Sequence, residues 1–233
     1  MNSTKTKQMQ LEEEGSVEVP AFMPAGLARL LYDYTCIRFA NGDLDVIDDG
    51  FVPMAQTKYG DYFTEALLIH YLPIMCELTG KDLAPTYSYL RRYKRGDNLP
   101  KHQDRYSCQY SVTVCAGYSY DNDQGRLADP GWKWPLHVEG GKKILQDPGD
   151  ALVYMGADYK HWRDALPWGH QVQVHLHYID KEAEFYPDLE LDARYRLGQS
   201  DGERDMDKIK KWIEQAKVDG KGFRDKNPLT GES

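Results

Sequence analysis

Apolar residues recur at helical spacing in the first third of the chain and at alternating spacing in the middle. Leu27, Leu30, Leu31 and Tyr34 share one face of a helix, which predicts a short amphipathic helix through about Phe39. Leu68, Tyr71, Leu72, Met75 and Leu78 do the same over Asp61 to Thr79, with Gly80 as the stop and Pro73 as an expected kink. From Pro85 the period shortens. Residues 86–93, 107–116, 134–138, 143–146, 151–155 and 172–178 read as strands, punctuated by turn residues at 95–98, 139–141 and 147–150. The tripeptide Arg95-Gly96-Asp97 is read as turn chemistry. Helices followed by a run of short strands predict a mainly β fold with flanking helices, a jelly roll. Residues 1–20 are polar and unpatterned and are expected to be a flexible leader. Residues 21–200 then form one domain. Residues 201–233 hold a last helix near 205–217, with Met206, Ile209, Ile213 and Ala216 aligned and Gly220 ending it, and a polar tail.

The segment 171–178 departs from ordinary strand patterning. One face carries Val172, Val174, Leu176 and Tyr178; the other carries Gln171, Gln173, His175 and His177. The polar face either meets water or lines a cavity inside the jelly roll. In the second case it would bind something charged or polar.

Composition narrows the function classes. With 29 basic and 37 acidic residues the net charge is −8, which disfavours binding to nucleic acid or to an anionic membrane. No stretch approaches a membrane span, and residues 1–15 lack the apolar core of a signal peptide, so a cytoplasmic protein is expected. The four cysteines show no C-x-x-C spacing and are expected to be reduced. The 17 tyrosines suit strands and half-polar cavities.

His102-Gln103-Asp104 is the most informative short motif. Alternate residues of an extended segment point the same way, so His102 and Asp104 can grip one ion while Gln103 points away. His161, beyond the strand at 151–155, supplies a second imidazole. Two imidazoles and a carboxylate are the donor set that holds non-haem Fe(II) on one face and leaves three adjacent positions open. Singly, each residue has a plainer reading: a surface histidine, a core histidine beside Trp162, and a partner for Arg105.

In this context the segments TYSYLRRYKRGDNLPKHQDR, WPLHV, DPGDALVYMGADYKHWRD and QVQVHLHYID, spanning residues 86–180, resemble the double-stranded β-helix dioxygenases that use Fe(II), O2 and 2-oxoglutarate. The likeness is to their prolyl 4-hydroxylase-like branch, within a group of stand-alone oxygenases of unassigned substrate. It implies that His102, Asp104 and His161 hold the iron. It also implies that decarboxylation of the 2-oxo acid to succinate and CO2 drives removal of hydrogen from the substrate. The retained carboxylate of Asp104 favours hydroxylation over halogenation.

One departure from that pattern is plain. The family places an arginine or lysine for the far carboxylate of 2-oxoglutarate nine to eleven residues after the distal histidine, where this chain has His170, Gln171 and Val172. Arg163 is the first substitute, since a guanidinium grips a carboxylate with two parallel bonds; an ion pair with Asp164 is its plainer role. Gln173, His175 and Tyr93 are expected to assist. Arg105, Gln171, His177 and Trp134 are assigned to the catalytic or substrate pocket. Six basic residues between Arg91 and Arg105 are either the solvated charges of an exposed hairpin or a positive collar that would suit an anionic small molecule or side chain. Trp132, Trp134 and residues 117–123 are candidates for a lid. Two other classes stay open: a different β-barrel metalloenzyme (a zinc hydrolase or a dioxygenase without a 2-oxo acid) and a non-catalytic jelly roll with a structural metal.

Overall fold

The computed structural model describes residues 3–120 and 131–218. Its elements are α1 (Ser3–Glu14), β1 (Ser16–Val19), α2 (Ala25–Ala40), β2 (Asp45–Ile47), β3 (Ala55–Tyr59), α3 (Tyr62–Thr79), β4 (Leu83–Lys94), β5 (Leu99–His102), β6 (Tyr110–Ser119), β7 (Leu136–Val138), β8 (Lys142–Ile144), β9 (Ala151–Tyr154), β10 (His161–Arg163), β11 (His170–Asp180) and α4 (Met206–Val218). The strands form a seven-stranded sheet, ordered β1-β9-β6-β11-β4-β3-β2, and a four-stranded sheet, ordered β5-β10-β7-β8. All pairings are antiparallel among the described residues. This is the double-stranded β-helix expected from the pattern of the chain.

The longest helix, α3, starts and stops where local chemistry dictates. Asp61 caps α3, its carboxylate accepting from the backbone N–H groups of Phe63 (2.9 Å) and Thr64 (3.3 Å). Gly80 closes the helix with φ 70°, a left-handed conformation that glycine adopts without penalty. The apolar positions of α2 and α3, among them Leu31, Leu68, Tyr71 and Met75, pack on Leu90, Val112, Val114, Val172, Val174 and Leu176. One face of the large sheet is thereby committed to the hydrophobic core. The other face is left to the interior of the roll.

Three expectations need correction. Residues 3–19 are not a free leader: α1 buries Leu11, and β1 pairs along β9, burying Val17 and Val19 in the core. Apolar residues are sparse in this segment, so its pattern was weak, yet Leu11, Val17 and Val19 suffice to anchor it. The strand expected at 107–116 begins at Tyr110, because residues 106–108 form a single tight turn of helix. The strand expected from Trp134 begins at Leu136, and that at 143–146 ends at Ile144, so Trp134 and Gln146 sit at strand margins. The side chains of Ile213 and Ala216, together with Gly220, the tail and residues 121–123 of the proposed lid, lie outside the described residues.

After β11 the chain runs back across β3 and β4 as a strap that ends in α4. Arg194 fastens this strap to the domain. Its guanidinium donates to both carboxylate oxygens of Glu65 (3.2 and 3.1 Å) and to the carbonyl of Thr86 (3.0 Å), with both side chains fully enclosed. Glu65 also accepts from the backbone N–H and hydroxyl of Ser88 and from the N–H of Gly198. Arg194→Met would leave this carboxylate without its cation. We expect a loss of about 3–5 kcal/mol in unfolding free energy, measurable by urea denaturation. A loss below 1 kcal/mol would show that the strap is held by its apolar contacts instead.

Candidate metal centre

Register places the polar side of β11 inside the roll. Gln171, Gln173, His175 and His177 pair across with Tyr93, Arg91, Tyr89 and Tyr87 of β4. On the other side they meet Tyr118, Cys115, Thr113 and Ser111 of β6. Gln171, Gln173 and His177 are buried, so this face is a lining and not a solvated surface. A β-bulge between Val172 and Gln173 shifts the register to β6 there.

The two sheets bring the metal-ligating types together. His161 on β10 lies opposite His102 at the end of β5. One carboxylate oxygen of Asp104, Oδ1, lies 3.3 Å from Nε2 of His102 and 3.6 Å from Nε2 of His161. The other ring nitrogens face backbone carbonyls, His102 Nδ1 at 2.8 Å from Pro100 and His161 Nδ1 at 3.3 Å from Tyr159. That arrangement leaves Nε2 of each ring turned toward Asp104 and able to ligate a metal. Gln103 points away, as alternation requires, and donates to the carbonyl of Asp158 at 2.6 Å.

Asp104 itself is held by the N–H it donates to Gly156 (2.9 Å). Its second oxygen, Oδ2, is buried without a hydrogen-bond partner. A buried carboxylate oxygen left in this way is costly unless a cation meets it. Burial opposes ionisation of Asp104, but His161 and His102 outweigh it and hold the carboxyl well below the usual carboxylate range. Burial pushes the His161 imidazole down to about 4, against the pull of Asp104, so the ring is neutral at pH 7 and able to ligate. The two imidazoles and the carboxylate, whose ligand atoms lie within 4.8 Å of one another, therefore fit a divalent cation such as iron. Phe51 walls one side, 4.4 Å from the His102 ring, and Tyr154 another, 4.9 Å from His161.

No protein-family model and no curated protein sequence matches this chain. Solved structures do. A prolyl-4-hydroxylase from Pseudomonas putida superposes with TM-score 0.57 at 16% identity, covering 76% of this chain and 98% of that one. The non-heme alpha ketoglutarate dependent carbocyclase SnoK from nogalamycin biosynthesis gives 0.61 at 12%, covering 85% and 93%. The epimerase SnoN in complex with Fe3+, alpha ketoglutarate and nogalamycin RO gives 0.58 at 13%, covering 76% and 84%. The fold is that of the 2OG-Fe(II) oxygenases. No helix among the described residues is long and apolar enough to cross a membrane.

Within this oxygenase fold, the other expected site residues fall into two groups. Arg163 follows His161 on the same face of β10, while Trp162 between them turns outward to stack on His137. Arg163 is buried and forms no pair with Asp164, whose carboxylate meets His137 at 3.2 Å. Its guanidinium donates to the carbonyl of Trp134 (2.9 Å) and to Gln146 (3.1 Å), and lies 4.7 Å over the Trp134 ring. Gln173 joins the same cluster through Gln146 (3.3 Å) and Thr113 (3.0 Å). Tyr93 stands edge-on to Trp134 at 4.9 Å, and Gln171 accepts from Tyr120 beside them. The second group lies around Asp104: His177 bonded to Ser111 (2.8 Å), Tyr87 4.4 Å from His177, and Arg105 over Tyr87 at 4.5 Å. Burial pushes His177 down to about 4 and His175 well below the ordinary histidine value, so both are neutral at pH 7.

Three of the six collar cations are paired with acids: Arg91 with Asp49 and Arg105 with Asp192 from outside the segment, and Lys94 with Asp97 within it. Asp49, Asp192, Gln146, Cys108 and Phe51 are the site residues that sequence reasoning missed. Only the alternation Tyr87, Tyr89, Arg91, Tyr93 offered a signal, marking a second strand with a polar and aromatic inner face.

Proposed function

We propose that this protein is a non-haem Fe(II)- and 2-oxoglutarate-dependent oxygenase that hydroxylates an unactivated C–H bond of a small molecule or an amino-acid side chain, releasing succinate and CO2. The observation that carries this reading is Arg163. It is a buried cation whose hydrogen-bonding partners among the described residues are neutral, two positions along the strand from a metal-facing histidine. At about 3.3 Å per residue the two lie roughly 7 Å apart, a span that suits an extended five-carbon dicarboxylate.

In this reading His102, Asp104 and His161 hold Fe(II), which when bound supplies the redox chemistry that activates O2 at the expense of the 2-oxo acid. Arg163 receives the far carboxylate of 2-oxoglutarate in place of a counter-ion, with Gln173, oriented by Thr113 and Gln146, and Tyr93 beside it. Neutral His175 and His177 keep the lining polar without adding charge. Tyr87, Phe51 and Trp134 exclude water around the reacting centre. With Arg91 and Arg105 already paired to acids, the substrate side presents little free positive charge, which supports a neutral substrate or side chain over a strongly anionic one.

Anaerobic addition of 2-oxoglutarate to the Fe(II)-loaded protein tests this directly. A visible charge-transfer band, followed by succinate release on admission of air, is the expected result. A zinc hydrolase or a structural metal site would give neither. The carbocyclase and epimerase among the structural neighbours show that one fold hosts several outcomes, so mass analysis of the product decides between hydroxylation and its alternatives.

A further inference from the structure

A second set of donors meets at Asp104. Ligand atoms of Asp104, Cys108 and His177 lie within 4.8 Å of one another, and Cys108 and His177 take no part in the triad. Each donor is positioned by a neighbour. His177 is fixed by Nδ1 on the Ser111 hydroxyl at 2.8 Å, which leaves Nε2 as the donor. Cys108 is buried, with its sulfur 3.1 Å from the Tyr87 hydroxyl, a group able to donate to a thiolate. Oδ1 of Asp104 faces the two triad imidazoles, whereas Oδ2 is buried and unpartnered. A Cβ on Gly156 would come within 2.4 Å of Oδ2 and 2.9 Å of the Cys108 carbonyl, so carboxylate and Cys108 backbone press on the same Cα. Gly156 thus packs against both Oδ2 and the Cys108 backbone, which sets the carboxylate and the cysteine side by side.

We propose that Asp104 Oδ2, Cys108 and His177 form a second cation position beside the triad, selective for a thiophilic divalent ion such as zinc. The donors argue for this selectivity. One carboxylate, one imidazole and one thiolate suit zinc, whose tetrahedral shell would be completed by water. The triad, which has no sulfur, favours iron. Binding replaces the thiol proton of Cys108, which leaves to solvent as the metal–sulfur bond forms. On the oxygenase reading, zinc held here would draw on the carboxylate that iron needs and so inhibit; the binding site itself does not depend on that reading.

Cobalt(II) is the probe, since its thiolate complexes absorb in the near ultraviolet while cobalt bound by nitrogen and oxygen alone does not. Titrating the intact protein with Co2+ should give this thiolate band, and zinc should displace it. The band should persist in His102→Ala, vanish in Cys108→Ser, and be unchanged in Cys115→Ser. Ser111→Ala, which frees the His177 ring to rotate, should weaken the cobalt affinity read from the band by about tenfold. Should Cys108→Ser fail to fold, His177→Gln serves in its place and should weaken the band's affinity more than Ser111→Ala does. A wild-type protein without the band, a band surviving Cys108→Ser, or one lost in His102→Ala would overturn the proposal. None of these readouts involves 2-oxoglutarate, so a failure of the oxygenase reading would leave them intact.

Discussion

Asp104→Ala is expected to abolish metal-dependent turnover of 2-oxoglutarate while leaving the metal-free fold at least as stable as the wild type. The two halves of this expectation have one cause. Oδ1 lies between both triad imidazoles and Oδ2 has no partner; with the His161 ring neutral at pH 7, its cationic help to the carboxylate is present only in acid, until a metal arrives. Without a metal, its removal relieves a buried unsatisfied oxygen. With a metal, its removal leaves a dication facing two neutral rings. Iron affinity should fall by more than the roughly 10–100-fold typical of losing an outer-shell partner. Anaerobic iron titration and a thermal melt of the metal-free variant measure both halves. Wild-type iron affinity in the variant would remove Asp104 from the metal site.

Arg163→Met should raise the KM for 2-oxoglutarate steeply without changing iron affinity. Breaking one partner of a buried, hydrogen-bonded charge pair costs about 2–5 kcal/mol, from about 30-fold to several thousandfold in affinity. The free protein should tolerate the change, because burial already disfavours the Arg163 cation and its partners are a carbonyl and an amide. Arg163→Lys should recover part of the affinity, since a point charge replaces the paired geometry incompletely. An unchanged KM in Arg163→Met would transfer the anchoring role elsewhere in the lining and remove the main support for a dicarboxylate co-substrate.

The elements that could be read from the chain are those whose burial repeats over several turns or strand residues. Leu68 through Leu78 announce α3, Asp61 and Gly80 mark its ends, and the alternation along 171–178 shows β11 with both of its faces. Five strands escaped: β1, β2, β3, β5 and β10 are three to five residues long, no shorter than β7, β8 and β9, which were legible because turn residues at 139–141 and 147–150 bound them. The triad was visible because His102 and Asp104 lie on one short segment. The groups that neutralise the site were not. Asp49 reaches Arg91 and Asp192 reaches Arg105 across 42 and 87 residues of chain, and no local spacing encodes such a pairing. The same gap bears on the collar: charge counted along the chain overstated a field that Asp49 and Asp192 offset in part.

The place of β11 has a consequence for how the molecule is made. This strand lies between β4 and β6, and both are synthesised well before it. Until residue 180 leaves the ribosome, two long apolar strands wait with unpaired edges, and α2 and α3 have no complete sheet to cover. The order of synthesis thus places the slot-filling step near the end, where long-range pairing is slow and exposed edges invite association with other chains. Chains stopped before β11 would carry all three triad residues and still have no barrel to hold them.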